Sequence, residues 1–382
     1  MNKARGSHIS TGVHADDSGT RRAPSLEVDA MKDRIVLGAL DSPDCQVYDQ
    51  AEKLLQSSEL SELDSSLVRV HDLASGLEQL ASGEVDVVAM PATEMSGNEG
   101  DIAASGCQVI GAMTPRRPNL ILVSPDRIAY QPRGAIIVSE SELVRRQLLR
   151  ARPDLQVMPP DSLAAHGIVG SVPDDSLERS RWLGSLLGDG SIDGFVTSRA
   201  EYENSDQTER RHTLMPFPKE RGGAHFLPPP YSNLVVFISR AGLPISITEK
   251  VTETEGNTVL WVQSRILNEM GGLGSGVLGL QVRHRQVGSL LRQAEEEKDL
   301  VLLQACSDPD GEIIEDEVRV EVRMETLSED GRRTLALDRM IAYADYQHAI
   351  ITLSRDWEAL LSEATRPVPK DHPSDEDAPS FL

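Results

Sequence analysis

The chain has 382 residues, of which 39% are hydrophobic and 26% charged, and its formal net charge is −23. This length and composition are typical of a soluble globular protein with two or three domains. The strong negative charge argues against a nucleic-acid partner, because phosphate neutralisation requires clustered Lys and Arg. No run of about eighteen apolar residues is present, so no membrane partner or membrane span is predicted.

The three cysteines, Cys45, Cys107 and Cys306, are widely spaced and odd in number. This pattern argues against a disulfide framework and a zinc site and suits a reducing compartment. The N-terminus has no apolar core of the kind that a signal peptide needs. We therefore expect a cytoplasmic protein without a bound metal, in which the polar residues 1–33 form a disordered extension.

The first part of the chain alternates short apolar runs with amphipathic segments. Buried strands are predicted at Arg34–Leu40, Leu67–Val70, Val85–Met90, Cys107–Met113 and Leu120–Ser124, and helices at Asp44–Gln56 and Asp72–Ala81. This alternation predicts a parallel sheet with helices on its faces.

The stretch that follows the strand Val85–Met90 contains candidate ligand-facing residues. In open α/β folds, the residues just past the carboxyl end of a parallel strand face the ligand crevice. Thr93 and Glu94 occupy this position, directly after Pro91. The competing interpretation is that Glu94 is a solvated carboxylate on a surface loop.

A second unit of the same build follows. Strands are predicted at Gly134–Ser139, Ile192–Thr197 and Leu227–Ser239, and helices at Glu140–Arg152 and Leu177–Leu187. Two crossovers, with late sequence returning to the first unit, describe a pair of domains like those of type II periplasmic binding proteins. Ligand lies between the lobes in that arrangement.

The last unit has a different pattern. A helix at Asn257–Met270, strands at Val277–Arg283, Leu300–Ala305 and Val318–Met324, and a closing helix at Arg339–Glu363 are predicted. A turn containing Asp310 and Gly311 is expected to join the last two strands as a hairpin. The fold class is therefore α/β, with two periplasmic-binding-protein-like (type II) domains and a smaller C-terminal α+β domain. The expected boundaries are 34–128 with 221–243, 129–220 and 244–365, followed by a loose tail at 366–382.

Several segments resemble the porphobilinogen deaminase (hydroxymethylbilane synthase) family in order and spacing. The residues in register include Glu84, Asp86, Val87, Val88, Ile35, Gly38, Gln147, Leu148, the run Arg152–Leu155, Gly271 and Gly272. The resemblance covers about residues 34–365. It implies the same three-domain fold and a role in tetrapyrrole and heme biosynthesis.

The resemblance also implies roles for individual residues. Glu94 stands at the position of the family's catalytic Asp, and Thr93 lies beside it in the expected crevice. Arg145 and Arg146 lie near the family's substrate-binding arginines, with surface charge as their alternative role. Gly274 fills the position of the cysteine that holds the family's dipyrromethane cofactor, and glycine has no nucleophile for that attachment.

Two functions remain open from the residues. One is a divergent hydroxymethylbilane synthase, a transferase that polymerises porphobilinogen with release of ammonia and binds a small anionic pyrrole. The other is a catalytically degenerate paralogue that binds a small ligand or tetrapyrrole between two lobes. A monomer is expected in either case, and whether the protein is an enzyme stays open.

Overall fold

A computed structural model describes residues 34–57, 60, 63–168, 170–218, 223–270, 275–307, 310–313 and 315–365. The predicted extension 1–33, the predicted tail 366–382 and the position Gly274 lie outside the described residues.

The strands of the described part are β1 (Arg34–Leu40), β2 (Asp64–Val70), β3 (Val87–Pro91), β4 (Cys107–Met113), β5 (Leu120–Val123), β6 (Ile136–Val138), β7 (Gln156–Met158), β8 (Gly194–Ser198), β9 (Arg211–Thr213), β10 (Val235–Arg240), β11 (Gly279–Gln286), β12 (Val318–Leu327) and β13 (Thr334–Ala342). The α-helices are α1 (Val47–Leu55), α2 (Leu73–Ser82), α3 (Ala92–Met95), α4 (Glu99–Ala104), α5 (Glu142–Ala151), α6 (Ser176–Gly188), α7 (Arg199–Asn204), α8 (Ile245–Val251), α9 (Thr254–Glu269), α10 (Val287–Glu297), α11 (Leu300–Ala305) and α12 (Tyr346–Ala364).

Two five-stranded sheets have the same internal order. The first sheet runs β2-β1-β3-β10-β4, and the second runs β7-β6-β8-β5-β9. In each sheet the first three strands are parallel, while the fourth is antiparallel and comes from the other part of the chain. The two sheets therefore exchange one strand each, across crossover segments at 114–119 and 214–234. The chain is a mixed α/β protein, and the predicted return of late sequence to the first sheet is confirmed.

The strand β3 lies at the centre of the first sheet, between β1 and β10, and all five of its residues are buried. Val88 and Met90 pack into one apolar cluster, and Val87 and Ala89 pack into another on the opposite face. The prediction of a strand that is buried on both faces is confirmed. Apolar β-branched residues at consecutive positions satisfy both faces at once.

A separate antiparallel sheet, β11-β12-β13, is formed by the last part of the chain. Its apolar face packs on α9 and α12 in the same cluster that covers one face of the first sheet, and Trp357 at 1% exposure lies inside this cluster. The C-terminal sheet is thus joined to the first sheet through a shared core.

Two sequence predictions are wrong in this region, and one helix was not predicted. Residues 300–305 form the helix α11 and not a strand, because the Asp299 carboxylate accepts hydrogen bonds from the backbone N–H groups of Val301 and Leu302 and caps a helix. The strand β13 occupies part of the predicted closing helix, which starts only at Tyr346. The helix α10 is absent from the sequence prediction.

The first boundary also needs correction at one strand. Residues 120–123, placed with the first unit in the division 34–128, form β5 and pair with β8 and β9 in the second sheet. The crossover therefore precedes β5.

Within the described ranges, no helix combines the length and the apolar character that a bilayer span requires.

Candidate functional site

A cavity of about 330 Å³ lies between the two five-stranded sheets, and we call it the cleft cavity. Its walls come from the loops after β1 and β3 on one side and after β6 and β8 on the other, with both crossover segments behind. Hydroxyl groups dominate the polar lining, contributed by Thr93, Ser139, Ser141, Ser176, Ser180, Thr197, Ser198 and Ser232. This is the position at which open α/β folds bind ligands.

The second sheet places its hydroxyl groups through helix caps. β6 leads into Ser141, whose side chain accepts a hydrogen bond from the Val144 N–H and caps α5. β8 ends at Ser198, whose hydroxyl accepts from the Glu201 N–H at 3.0 Å and caps α7. Ser and Thr are favoured at helix N-termini because their oxygens satisfy N–H groups that lack helical partners. The caps therefore lie on the cavity wall as a consequence of the strand–loop–helix connections.

Glu201 organises the hydroxyl groups on this side of the cavity. Its carboxylate accepts hydrogen bonds from the hydroxyls of Thr197, at 2.5 Å, and Ser176, and from the Ser198 N–H at 3.3 Å. The reciprocal contacts of Ser198 and Glu201 form a capping box. The Glu201 carboxylate thus accepts three hydrogen bonds from within the protein. These bonds fix the orientation of the hydroxyl groups on the cavity wall and use part of the carboxylate's hydrogen-bonding capacity before any ligand binds.

The wall from the first sheet is built around Asp44. Its carboxylate accepts a hydrogen bond from the Ser42 hydroxyl at 2.6 Å, and its backbone carbonyl accepts from the Asn119 side chain at 3.1 Å. Asn119 belongs to the first crossover. The loop after β1 is thereby tied to the segment that connects the two sheets.

The charge of the cleft cavity is negative. Asp44, Glu140 and Glu201 contribute carboxylates, and the described lining includes no Lys or Arg. Arg179 lies outside the lining and pairs with Glu140 at 2.6 Å, a contact that raises the pKa of Arg179. An anionic ligand would find little to compensate its charge here, whereas an amine or a hydroxyl-rich compound would find acceptors.

The two residues predicted after β3 have different positions. Thr93 and Glu94 are both exposed on the short helix α3, and Thr93 lines the cleft cavity. Glu94 is not among the lining residues, and its backbone carbonyl accepts a hydrogen bond from the Asn98 side chain at 2.8 Å. The structure does not bring the Glu94 carboxylate together with Thr93 at the cavity wall.

The predicted arginine pair is engaged within the protein. Arg145 donates to the backbone carbonyls of Ser139 at 2.8 Å and Glu140 at 2.6 Å, and burial lowers its pKa. Arg146 is only 3% exposed, donates to the Leu327 carbonyl at 2.6 Å and pairs with Glu142. Neither guanidinium lines the cleft cavity.

The three cysteines lie elsewhere in the chain than Gly274, the position that the family resemblance gives to the cofactor attachment. All three thiols are buried. Burial, followed by the charge of Asp44, raises the pKa of Cys45 to about 12, so that it stays protonated at neutral pH. A protonated, buried thiol is a poor nucleophile. Among the described residues, no group of three or more His, Cys, Asp or Glu side chains is arranged to hold a metal ion.

Comparison with known proteins gives structural neighbours and no sequence family. No family model matches the chain, and no curated protein matches it. A periplasmic substrate-binding protein of an ABC transporter from Coxiella burnetii is similar at 15% identity, over 63% of this chain and 98% of that one, with a TM-score of 0.30. The periplasmic VFT2 domain of Bordetella pertussis BvgS is similar at 16% identity, over 61% and 92%, with a TM-score of 0.30. A putative methionine-binding lipoprotein from Bacillus subtilis is similar at 12% identity, over 60% and 89%, with a TM-score of 0.28.

These findings correct the family resemblance. The similar structures named above are periplasmic substrate-binding proteins or domains and a lipoprotein. The assignment to the porphobilinogen deaminase family is wrong on this comparison, as are the expected transferase chemistry of tetrapyrrole biosynthesis and the cytoplasmic location. The false match has a physical reason. The order and spacing of the predicted strands and helices agree with that family, but the residues that would carry its chemistry differ.

Sequence reasoning missed most of the cleft lining. Ser139, Thr197 and Ser198 are at the ends of correctly predicted strands. The residues predicted to face a ligand were instead Thr93 and Glu94 after Val85–Met90 and, from the family resemblance, Arg145 and Arg146. The pattern Ser198-x-x-Glu201 after an apolar run is a capping-box signal that would have found this part of the site.

Proposed function

We propose that this protein binds a small polar ligand in the cleft cavity between its two five-stranded sheets. The observation that supports this most directly is the lining itself, in which hydroxyl groups and carboxylates from both sheets converge on one space. A volume of about 330 Å³ suits a compound of metabolite size. The strand exchange between the sheets supports a division into two lobes, with the C-terminal sheet as a third domain.

The ligand class that we propose is a neutral or positively charged compound rich in hydrogen-bond donors, such as an amine or a polyol. The described lining offers acceptors on Asp44, Glu140 and Glu201 and no cationic side chain. The net charge of −23 adds to this preference, because the field of the whole chain attracts cations and repels anions. The small anionic pyrrole expected from the sequence does not fit this lining.

Thermal unfolding in the presence of three probes of different charge tests the proposal. Putrescine, myo-inositol and succinate represent a dication, a neutral polyol and a dianion of similar size. A ligand that binds only the folded state raises the melting temperature by mass action. We expect putrescine or myo-inositol at millimolar concentration to raise Tm by a few degrees and succinate to have no effect.

A matched pair of variants locates the binding. Asp44→Asn removes a carboxylate from the cavity wall, whereas Asp101→Asn makes the same change on an exposed residue of α4 outside it. We expect Asp44→Asn to weaken the putrescine effect about tenfold in concentration, as loss of one charged contact does. Equal behaviour of the two variants, stabilisation by succinate, or no stabilisation by any probe would contradict the proposal.

A further inference from the structure

A second cavity, of about 530 Å³, lies where both crossover segments meet α9 and β11, and we call it the junction cavity. It is larger than the cleft cavity and has a different chemical character. Four guanidinium groups line it, from Arg116 and Arg117 of the first crossover and from Arg283 and Arg285 of β11. In a chain with a net charge of −23, this is a local concentration of positive charge.

The carboxylates near these arginines do not balance them individually. Arg283 and Arg285 share one carboxylate oxygen of Glu321, the second of them at 3.5 Å. Burial, followed by repulsion from the adjacent charge of Arg283, lowers the pKa of Arg285. A bound anion would relieve this repulsion.

The first crossover adds to the excess of positive charge. Arg116 pairs with Glu253 at 2.6 Å. The neighbouring Arg117 is exposed, and no partner for it is found among the residues that the structure describes. Arg117 is therefore available to a ligand in the junction cavity.

The lining of the junction cavity also contains Glu255, Gln263, Gln281 and His284, and much of the remaining wall is apolar and aromatic. The Arg283 guanidinium lies over the Phe217 ring at 3.8 Å from its centre, and Phe226 and Leu280 contribute further apolar surface. A guanidinium stacked on an aromatic ring presents a flat surface with a charged edge. This combination fits a planar or apolar body that carries an anionic group.

The free edge of β11 supplies backbone groups to the same space. Leu280 donates its N–H to the Pro228 carbonyl at 2.9 Å, and His284 donates its N–H to Glu255 at 2.8 Å, both away from β12. Residues two apart in an antiparallel strand direct their backbone groups to the same side. Val282 lies between these two and therefore directs its N–H and C=O toward the cavity edge.

Two side-chain atoms at this edge lack partners in the part of the chain that the structure describes. They are Oε1 of Gln281 and Nε2 of His284, and both atoms are buried. Buried polar atoms without a partner are uncommon in folded proteins and indicate a missing ligand or water.

We propose that the junction cavity is a second binding site, for a small anion with an aromatic or apolar body. The anionic group lies against Arg117 and Arg285, and the body lies against Phe217 and Phe226. A volume of about 530 Å³ is sufficient for a ligand with two rings. The site adjoins the cleft cavity and selects the opposite charge. The two cavities share Asn119, Leu120, Pro229 and Ser232 in their linings.

Fluorescence titration with 1-anilinonaphthalene-8-sulfonate tests this site, because the dye carries one sulfonate on an aromatic body and brightens in apolar surroundings. We expect one saturable site whose affinity falls as salt concentration rises. Arg117→Gln, at an exposed position that folding does not need, is expected to weaken binding about tenfold, and Arg285→Gln to weaken it by a similar factor. Arg355→Gln makes the same charge change on an exposed residue of α12 outside both cavities and is expected to leave the affinity unchanged.

A bulky substitution distinguishes dye binding in the junction cavity from dye binding in the cleft cavity. Thr93→Trp obstructs the cleft cavity, so the dye affinity of this variant is expected to match that of the unmodified protein, whatever happens to putrescine binding. Dye binding that is lost in Thr93→Trp places the dye in the cleft and overturns the proposal. Affinity that is the same in Arg117→Gln and Arg355→Gln overturns it as well.

Discussion

Glu325 on β12 has the most strongly perturbed carboxylate that the structure describes, and it is only 1% exposed. Arg150 pairs with it at 2.6 Å, His225 lies 3.1 Å from the same oxygen, and Gln147 donates to the other oxygen at 2.8 Å. Burial alone raises the pKa of this carboxyl. The hydrogen bonds from His225 and Arg150, with the charge of Arg150, outweigh burial and lower the pKa to about 2.

Replacing Glu325 by Gln is expected to destabilise the protein by about 3 kcal/mol, because it leaves the partly buried Arg150 without its counter-charge. Urea unfolding followed by circular dichroism measures the change. Glu269→Gln is the matched control, since its partner Arg265 is 43% exposed and the pair lies on the surface of α9. An exposed pair of this kind contributes less than about 1 kcal/mol. Equal losses in the two variants would show that the Glu325 ion pairs do not stabilise the fold.

The same variant has a defined pH dependence. The folded-state pKa of about 2 lies below the ordinary value of 4.5, so the unfolded chain takes up the proton first as the pH falls. The stabilisation by Glu325 is therefore fully present above about pH 4.5 and is lost as the pH falls from there through 2. The difference in unfolding free energy between the unmodified protein and Glu325→Gln is expected to narrow over this range. A difference that stays constant down to about pH 3 would contradict the assignment.

At the scale of elements, the contact between α5 and the turn after β12 depends on a glycine. Gly331 has a φ of +70°, and a Cβ atom there would lie 2.5 Å from the Arg146 carbonyl oxygen and 2.7 Å from the Arg150 nitrogen. Both atoms belong to the backbone of α5 and cannot rotate away. The turn therefore approaches the helix more closely than any other residue type permits.

Gly331→Ala is expected to destabilise the protein more than Gly311→Ala, by about 1 to 3 kcal/mol. Gly311 has a similar φ of +83°, and a Cβ atom there would meet no described atom within 4 Å, so it reports the backbone cost alone. The difference between the two variants isolates the contact with α5. Thermal unfolding measures both, and equal shifts in Tm would mean that the turn does not press on α5.

Helix caps explain which elements follow from the sequence and which do not. The helix α6 is predicted at the right place because Asp175 caps it next to an amphipathic run. The strand predicted at residues 300–305 is wrong because a short apolar run is ambiguous, and the cap at Asp299 decides for a helix. Leu300 and Val301 are 77% and 79% exposed, so this segment is not held in a buried position between neighbouring strands.

At the scale of the whole molecule, the C-terminal sheet contacts both of the five-stranded sheets. It shares an apolar core with the first sheet through α9, and it holds the second through the hydrogen bonds of α5 to Glu325 and Leu327. The apolar contact is extensive, whereas the polar contact depends on a few groups. The C-terminal sheet therefore bridges the two five-stranded sheets.

Hydrogen exchange is expected to show this asymmetry. In Glu325→Gln, amides of α5 are expected to exchange faster, because the polar contact with β12 is weakened and local opening costs less free energy. Amides of β3, at the centre of the first sheet, report global unfolding and are expected to accelerate only as far as the loss of global stability dictates, while they remain better protected than those of α5. Amides of α5 that stay as well protected as those of β3 would show that α5 opens only with the whole fold, and this would contradict a local role for the contact.

Local sequence was sufficient for the alternation of strands and helices, because this depends on hydrophobic period and on caps within a few residues. The position of β3 at the centre of a sheet followed from its continuous apolar run. The cleft lining, the engagement of Arg146 with Leu327 and the junction cavity were decided only by the tertiary structure. Each of them joins side chains that are far apart in the chain, and their distances depend on packing that no local pattern encodes.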